Sequence, residues 1–191
     1  MKEKTFDGKI KENLMAFDRK IGYVIGIDPD IVKNGIGCIE RNRRSLEVAY
    51  LNFPETLEWV KAKYEEWAGK YKEKAPDSFM VYVEAGWLNK GNWHVTESRN
   101  GKFSPSAWAA AVGKSDGECS AVSKKLLECF EFYGIPCSPM KPLRKCWKGP
   151  DRKITHEELL KELQIYKVQH KLKGRSNQEV RDSVLISLVN L

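Results

Sequence analysis

The chain has no Cys-x-x-Cys pair among its five cysteines, Cys38, Cys119, Cys129, Cys137 and Cys146. Their odd number and scattered spacing exclude a disulfide framework and a thiolate zinc site, so they read as reduced thiols. Histidine is scarce: His94, His156 and His170 are too few and too far apart for a histidine-rich metal site or a Ser-His-Asp triad. No run approaches the roughly 18 consecutive apolar residues of a membrane span. The charged opening MKEKTFDGKIKEN is not a secretory leader, so a cytoplasmic protein with no membrane partner is expected. There is no internal repeat and no low-complexity segment. Of the common catalytic chemistries, carboxylate chemistry is what remains.

What is present is positive charge and enough apolar material for one core. Lys and Arg exceed Asp and Glu by 33 to 26, a net charge of +7 that favours polyanionic partners. With 191 residues, 41% of them hydrophobic, the chain has the makings of one domain. We place that domain at residues 21–191. Residues 1–20 alternate charge with few apolar positions and read as an N-terminal arm.

Tyr23–Asp28, Gly35–Arg41 and Ser45–Asn52 read as three consecutive strands separated by turn residues. Leu57, Val60, Tyr64, Trp67 and Tyr71 recur at helical spacing, which predicts an amphipathic helix over 55–74 that Pro76 ends. Ser78–Glu84 is a fourth strand. Gly86 to Gly117 shows no sustained period and reads as a long loop, followed by a helix over Glu118–Tyr133 that Gly134 stops. Ile135–Met140, broken by two prolines, is expected to be a short or edge strand. Thr155-x-x-Glu158 and Ser176-x-x-Glu179 are capping boxes, each opening a helix.

Two of these strands end on acids, Asp28 and Glu84. If the strands are parallel neighbours, both side chains stand at the carboxyl edge of the sheet, where open α/β sheets bind ligands. The last helix adds Glu179 and Asp182, three residues apart and so about 5–6 Å apart at Cβ. Clustered carboxylates repel one another and need a cation or shared proton. Oxygen-only ligands suit Mg²⁺ or Mn²⁺, and a pair of such ions supports phosphodiester cleavage. Each acid also has a plainer explanation. Asp28 precedes Pro29 as a turn residue would, Glu84 can pair with a lysine, and Glu179 sits where a capping box wants glutamate.

Gly26-Ile27-Asp28-Pro29, then Asn34-Gly35-Ile36-Gly37-Cys38-Ile39-Glu40, Val81-Tyr82-Val83-Glu84 and Asn177-Gln178-Glu179-Val180-Arg181-Asp182-Ser183 resemble the RuvC-type Holliday junction resolvases of the ribonuclease H-like superfamily. The resemblance runs from about Ile21 to Leu191. It implies an α/β, ribonuclease H-like fold, a mixed five-stranded sheet with three antiparallel N-terminal strands and flanking helices. It also implies a homodimer, branched DNA as partner, two Mg²⁺ ions for which Mn²⁺ substitutes, and an acid cluster of Asp28, Glu84, Glu179 and Asp182 as metal ligands and catalytic residues. The chain departs from the pattern at Asp30, where the family usually has glycine, and at Asn177 to Glu179, where it often has histidine and aspartate.

Lys141, Arg144, Lys145, Lys148, Arg152 and Lys153 form a basic run interrupted only by Asp151, suited to phosphate contacts. Trp87, Trp93, Phe103 and Trp108 lie among Lys90, His94, Arg99 and Lys102. Such rings can stack on bases but more often pack internally, and only Trp87 is assigned to DNA. The expected activity is a metal-dependent, structure-selective endodeoxyribonuclease acting on four-way junctions in recombination and repair, located on DNA in the cytoplasm. The same acids would serve an RNA–DNA hybrid nuclease or a transposase-like enzyme, and a site with too few ligands would leave a catalytically inactive DNA-structure binding module.

Overall fold

A computed structural model describes residues 21–89, 104–172 and 174–191. The expected arm, residues 1–20, and Lys90, Trp93, His94, Arg99, Lys102 and Phe103 lie outside the described residues. Three antiparallel strands open the fold: β1 (Tyr23–Asp28), β2 (Asn34–Glu40) and β3 (Ser45–Leu51). Helix α1 (Phe53–Tyr71) carries the chain across to β4 (Phe79–Glu84), which lies parallel to β1. A second crossover through α2 (Pro105–Phe132) leads to β5 (Cys137–Met140), parallel to β4. The five strands lie in the order β3-β2-β1-β4-β5. This is the mixed five-stranded sheet expected from the sequence, with three antiparallel N-terminal strands and β5 short and at the edge.

The alternation of strand side chains assigns the two faces. Ile25, Ile27, Val81 and Val83 point to one face, where Val60 and Trp67 of α1 and Leu126 and Phe130 of α2 close a core. The other face is covered by α4 (Gln178–Val189), with α3 (His156–Ile165) packed outside it. On that face Ile39 and Leu46 pack against Val180, Val184 and Leu188 of the helix, but at three neighbouring positions of β1 and β2 the sheet has no side chain. A Cβ at Gly35 would collide with the Glu179 carbonyl, one at Gly26 with the Ser183 carbonyl, and one at Gly37 would come within 2.8 Å of the Val184 Cα. Three glycines therefore form a flat floor on which α4 lies at backbone contact.

Ser187 completes the contact. Its hydroxyl accepts from the Gly26 N–H at 2.8 Å and donates to the Gly37 carbonyl at 2.7 Å. A fully buried hydroxyl thus joins a donor of β1 to an acceptor of the opposed residue on β2.

Three expectations are corrected. The segment 86–117 is not one loop: α2 begins at Pro105, thirteen residues before the predicted start, with Ser104 as N-cap accepting from the Ala107 N–H. Ser106, Ala107 and Ala109–Ala111 are solvent-exposed, so these positions carry no apolar period to read. Pro76 does not end α1, which stops at Tyr71; it lies in a separate helical turn, Ala75–Ser78. Ser176 does not cap α4. The N-cap is Asn177, whose Oδ1 accepts from the Val180 N–H at 3.0 Å, while Ser176 Oγ bonds His156 Nδ1. The Thr155–Glu158 capping box forms as expected and opens α3.

Gly35→Ala is expected to lower the unfolding free energy by at least about 2 kcal/mol, because the colliding atoms are backbone and cannot rotate away. Ser187→Ala should cost about 2 kcal/mol by leaving a buried N–H and a buried C=O unpaired. Urea titrations check both, and an unchanged midpoint for Gly35→Ala would contradict contact-distance docking of α4.

Candidate active site

Strand alternation puts Asp28 and Glu84 on the same face of the sheet as Gly26, the face that α4 covers. Parallel pairing of β1 and β4 sets the two acids at neighbouring carboxyl ends. The glycine floor then brings α4 close enough for Asp182 to join them. Asp28, Glu84 and Asp182 line one cavity of about 100 Å³, together with Arg144, Lys145 and Lys153 from the segment between β5 and α3.

The electrostatics follow from that convergence. Burial first, then the charges of Glu84 and Asp182, hold the Asp28 carboxyl well above the ordinary carboxylate range; Lys153 offsets part of this and Glu179 adds to it. Burial and Asp182 push Glu84 up to about 7, against the pull of Lys145 and Lys153. Burial also raises Asp182, opposed by its Gln178 hydrogen bond and by both lysines. Glu179, freed from the capping role by Asn177, stands close enough for its charge to be felt at Asp28 and at Tyr50 on β3.

Asp182 is held by neighbours that sequence reasoning missed. Gln178 Nε2 donates to Asp182 Oδ1 at 2.8 Å, and Arg181 Nη2 donates to Gln178 Oε1 at 2.7 Å. Arg181 in turn donates through Nε to the Ile154 carbonyl at 2.9 Å and through Nη1 to the Ser176 carbonyl. The readable signal was the spacing: residues three and four apart on a helix are side-chain neighbours. The β1–β2 turn beside Asp28 is likewise braced. Buried Asn34 accepts from the Asp30 N–H and donates to Thr56 Oγ1 on α1.

Of the basic run, Arg144, Lys145 and Lys153 reach the cavity, whereas Lys141, Lys148 and Arg152 are not among its lining residues. Trp87 is elsewhere, half-buried against the α1/α2 core with Lys124 Nζ 5.3 Å from its ring centre. A larger cavity of about 300 Å³ lies near Tyr23 and Cys38, at the other end of the sheet. Its charges pair among themselves, Lys63 with Glu47 at 2.6 Å and Lys70 with Glu40 at 3.8 Å, so it has less unsatisfied charge to offer a ligand.

Among the described residues, no three Asp, Glu, His or Cys side chains already stand in a metal-ligating arrangement. The donor set nevertheless fits a hard divalent cation: it is all oxygen and partly buried, and burial, with mutual repulsion at Asp28 and Glu84, holds its pKa values up.

No protein-family model and no curated protein matches the chain. Solved structures do. RuvC of T. thermophilus in complex with a Holliday junction substrate is similar at 18% identity and a TM-score of 0.41, covering 87% of this chain and 90% of that one. The large terminase nuclease of thermophilic phage G20c with bound magnesium is similar at 10% identity and 0.40, covering 90% and 82%. The yeast mitochondrial Holliday junction resolvase Ydc2 is similar at 13% and 0.39, covering 96% and 83%. At these identities the likeness is one of overall arrangement, and the reading of the site rests on its own geometry. Among the described residues no helix is long and apolar enough to cross a membrane.

Glu84 gives a pH signature. Its folded pKa of about 7 lies above the ordinary 4.5. Between those values the folded chain keeps a proton that the unfolded chain has released, so stability falls as pH rises through the window. Metal-free protein is expected to lose about 3 kcal/mol from this group alone on going from pH 4.5 to 7.5. Subtracting the stability profile of Glu84→Gln from that of the parent reports this contribution together with its coupling to Asp28; a flat difference would contradict the burial and repulsion described.

Proposed function

We propose that the chain is a divalent-metal-dependent endodeoxyribonuclease that recognises branched DNA and cuts four-way junctions. The observation that carries this reading is the meeting of Asp28, Glu84 and Asp182, from three separate elements, in one cavity bordered by three basic side chains. Acids alone would repel a phosphodiester, and basic residues alone would bind it without chemistry. Together they fit a scissile phosphate held from one side and attacked from the other.

Asp28, Glu84 and Asp182 would together hold two Mg²⁺ ions, and Glu179 would assist in ligation or in orienting water. Bound there, the ions would supply the charge that makes water a nucleophile and stabilises the departing oxygen, and Mn²⁺ would substitute. The chain's own part is positional. The glycine floor sets the distance from Asp182 to Asp28, Gln178 fixes one Asp182 oxygen, and Arg144, Lys145 and Lys153 hold the phosphate. Lys141, Lys148 and Arg152 would extend that grip along the strand, and Trp87 would meet DNA only beyond the cavity. Cleavage would leave a 5′-phosphate and a 3′-hydroxyl. Paired cuts across a junction call for two copies of the domain at residues 21–191, hence a homodimer working on DNA in the cytoplasm.

An end-labelled synthetic four-way junction and a linear duplex of the same sequence, incubated with Mg²⁺ or with EDTA, test the proposal. Symmetric nicks in the junction alone are expected, absent with EDTA and at least about a hundredfold slower in Asp28→Asn. A junction that is bound but never cut under Mg²⁺ or Mn²⁺ would instead make the chain a DNA-structure binding module.

A further inference from the structure

Three partly buried acids need positive charge, and the fold supplies it from within. Lys153 Nζ stands 3.8 Å from Asp182 Oδ2, with the two side chains only 35% and 23% exposed. Because Gln178 already holds Oδ1, the lysine faces the one Asp182 oxygen still free to ligate. Its positive charge is also felt at Asp28 and Glu84. Lys145 acts on Glu84 and Asp182 but forms no ion pair with them among the described contacts.

The root of the lysine is fixed while its stem is not. Its N–H donates to the Pro150 carbonyl at 3.0 Å and its own carbonyl accepts from the Gly149 N–H at 3.0 Å. The turn is tight: Asp151 and Arg152 have φ of 56° and 57°, and a Cβ at Gly149 would collide with the Lys153 carbonyl. Next in the chain, Ile154 is buried and its carbonyl is held by Arg181 of α4. The backbone of Lys153 is thereby tied to the helix that carries Asp182, whereas an ammonium on a four-carbon stem can exchange one oxygen anion for another.

Resting on the nuclease reading above, we propose that Lys153 is the resident counter-ion of the acid cluster in the metal-free chain, and that a DNA phosphate, by drawing this ammonium away, opens the cluster to divalent metal. Lysine and metal compete for the same carboxylates, and lysine and phosphate attract. DNA therefore raises metal affinity, and by reciprocity metal raises DNA affinity through the same side chain. A site that fills more readily on DNA holds less activated water away from it.

Mn²⁺ titrations followed by the paramagnetic signal of the free ion test this, run cold with and without a saturating four-way junction and corrected for DNA alone. The parent chain is expected to bind Mn²⁺ about tenfold more tightly with the junction than without. Lys153→Met should bind Mn²⁺ about tenfold more tightly than the parent in the absence of DNA and gain little from the junction. Lys153→Arg, which keeps the charge, should stay near the parent. If Lys153→Met fails to fold, Lys153→Gln serves in its place. Mn²⁺ affinity that is unchanged or weaker without DNA in the neutral variant overturns the counter-ion role, even if the parent cuts junctions. A parent that binds no Mn²⁺ with or without DNA, and cuts nothing, overturns the nuclease reading and this inference with it.

Discussion

The site depends on one steric constraint: a helix must lie on a sheet at backbone contact. Ordinary helix–sheet packing interposes two layers of side chains, which would hold Asp182 several ångströms further from Asp28. Gly26, Gly35 and Gly37 remove the sheet's layer, and Ser183 and Ser187 thin the helix's. The cost of bare backbone in a buried interface is met by the Ser187 hydroxyl, which satisfies a donor on β1 and an acceptor on β2. Small residues on both surfaces and a bridging hydroxyl make the approach possible without orphaned polar groups.

From that approach the electrostatics follow. Carboxylates brought together in a half-enclosed cavity keep protons that solvent-exposed acids would release, and they recruit whatever cations the fold can reach. Two lysines and an arginine on one segment answer this need. That segment is anchored to α4 through the bond from Arg181 to the Ile154 carbonyl. Arg181 also holds Gln178, which holds Asp182, and its charge acts on that acid as well.

The sheet was legible because its strands are apolar and punctuated by Asn, Gly and Pro, and because two of them stop on acids. Parallel pairing of β1 and β4 followed from the helix between them. The meeting of Asp28, Glu84 and Asp182 was foreseeable once those strands were adjacent. What stayed hidden has physical reasons. The first turns of α2 face water, so Ala-rich sequence there showed no period. Ser176 and Asn177 are both good caps, and only the tertiary bond of Ser176 to His156 separates them. The Arg181–Gln178–Asp182 chain relies on rotamers that spacing permits but does not impose. The distinction among six basic residues depends on a tight turn at Gly149 to Lys153 that strings of Lys and Arg do not reveal.

Helix α2 is continuous in hydrogen bonding but not in support. Its second half, through Leu126, Leu127 and Phe130, belongs to the core, while its first turns carry alanines into solvent. Amide exchange along it should therefore be graded. Backbone protons near Phe130 wait for global unfolding, whereas those near Ala109 escape through fraying that leaves the sheet intact. The same 28 residues thus behave as two thermodynamic units, one sharing the stability of the domain and one with little beyond its own helical propensity.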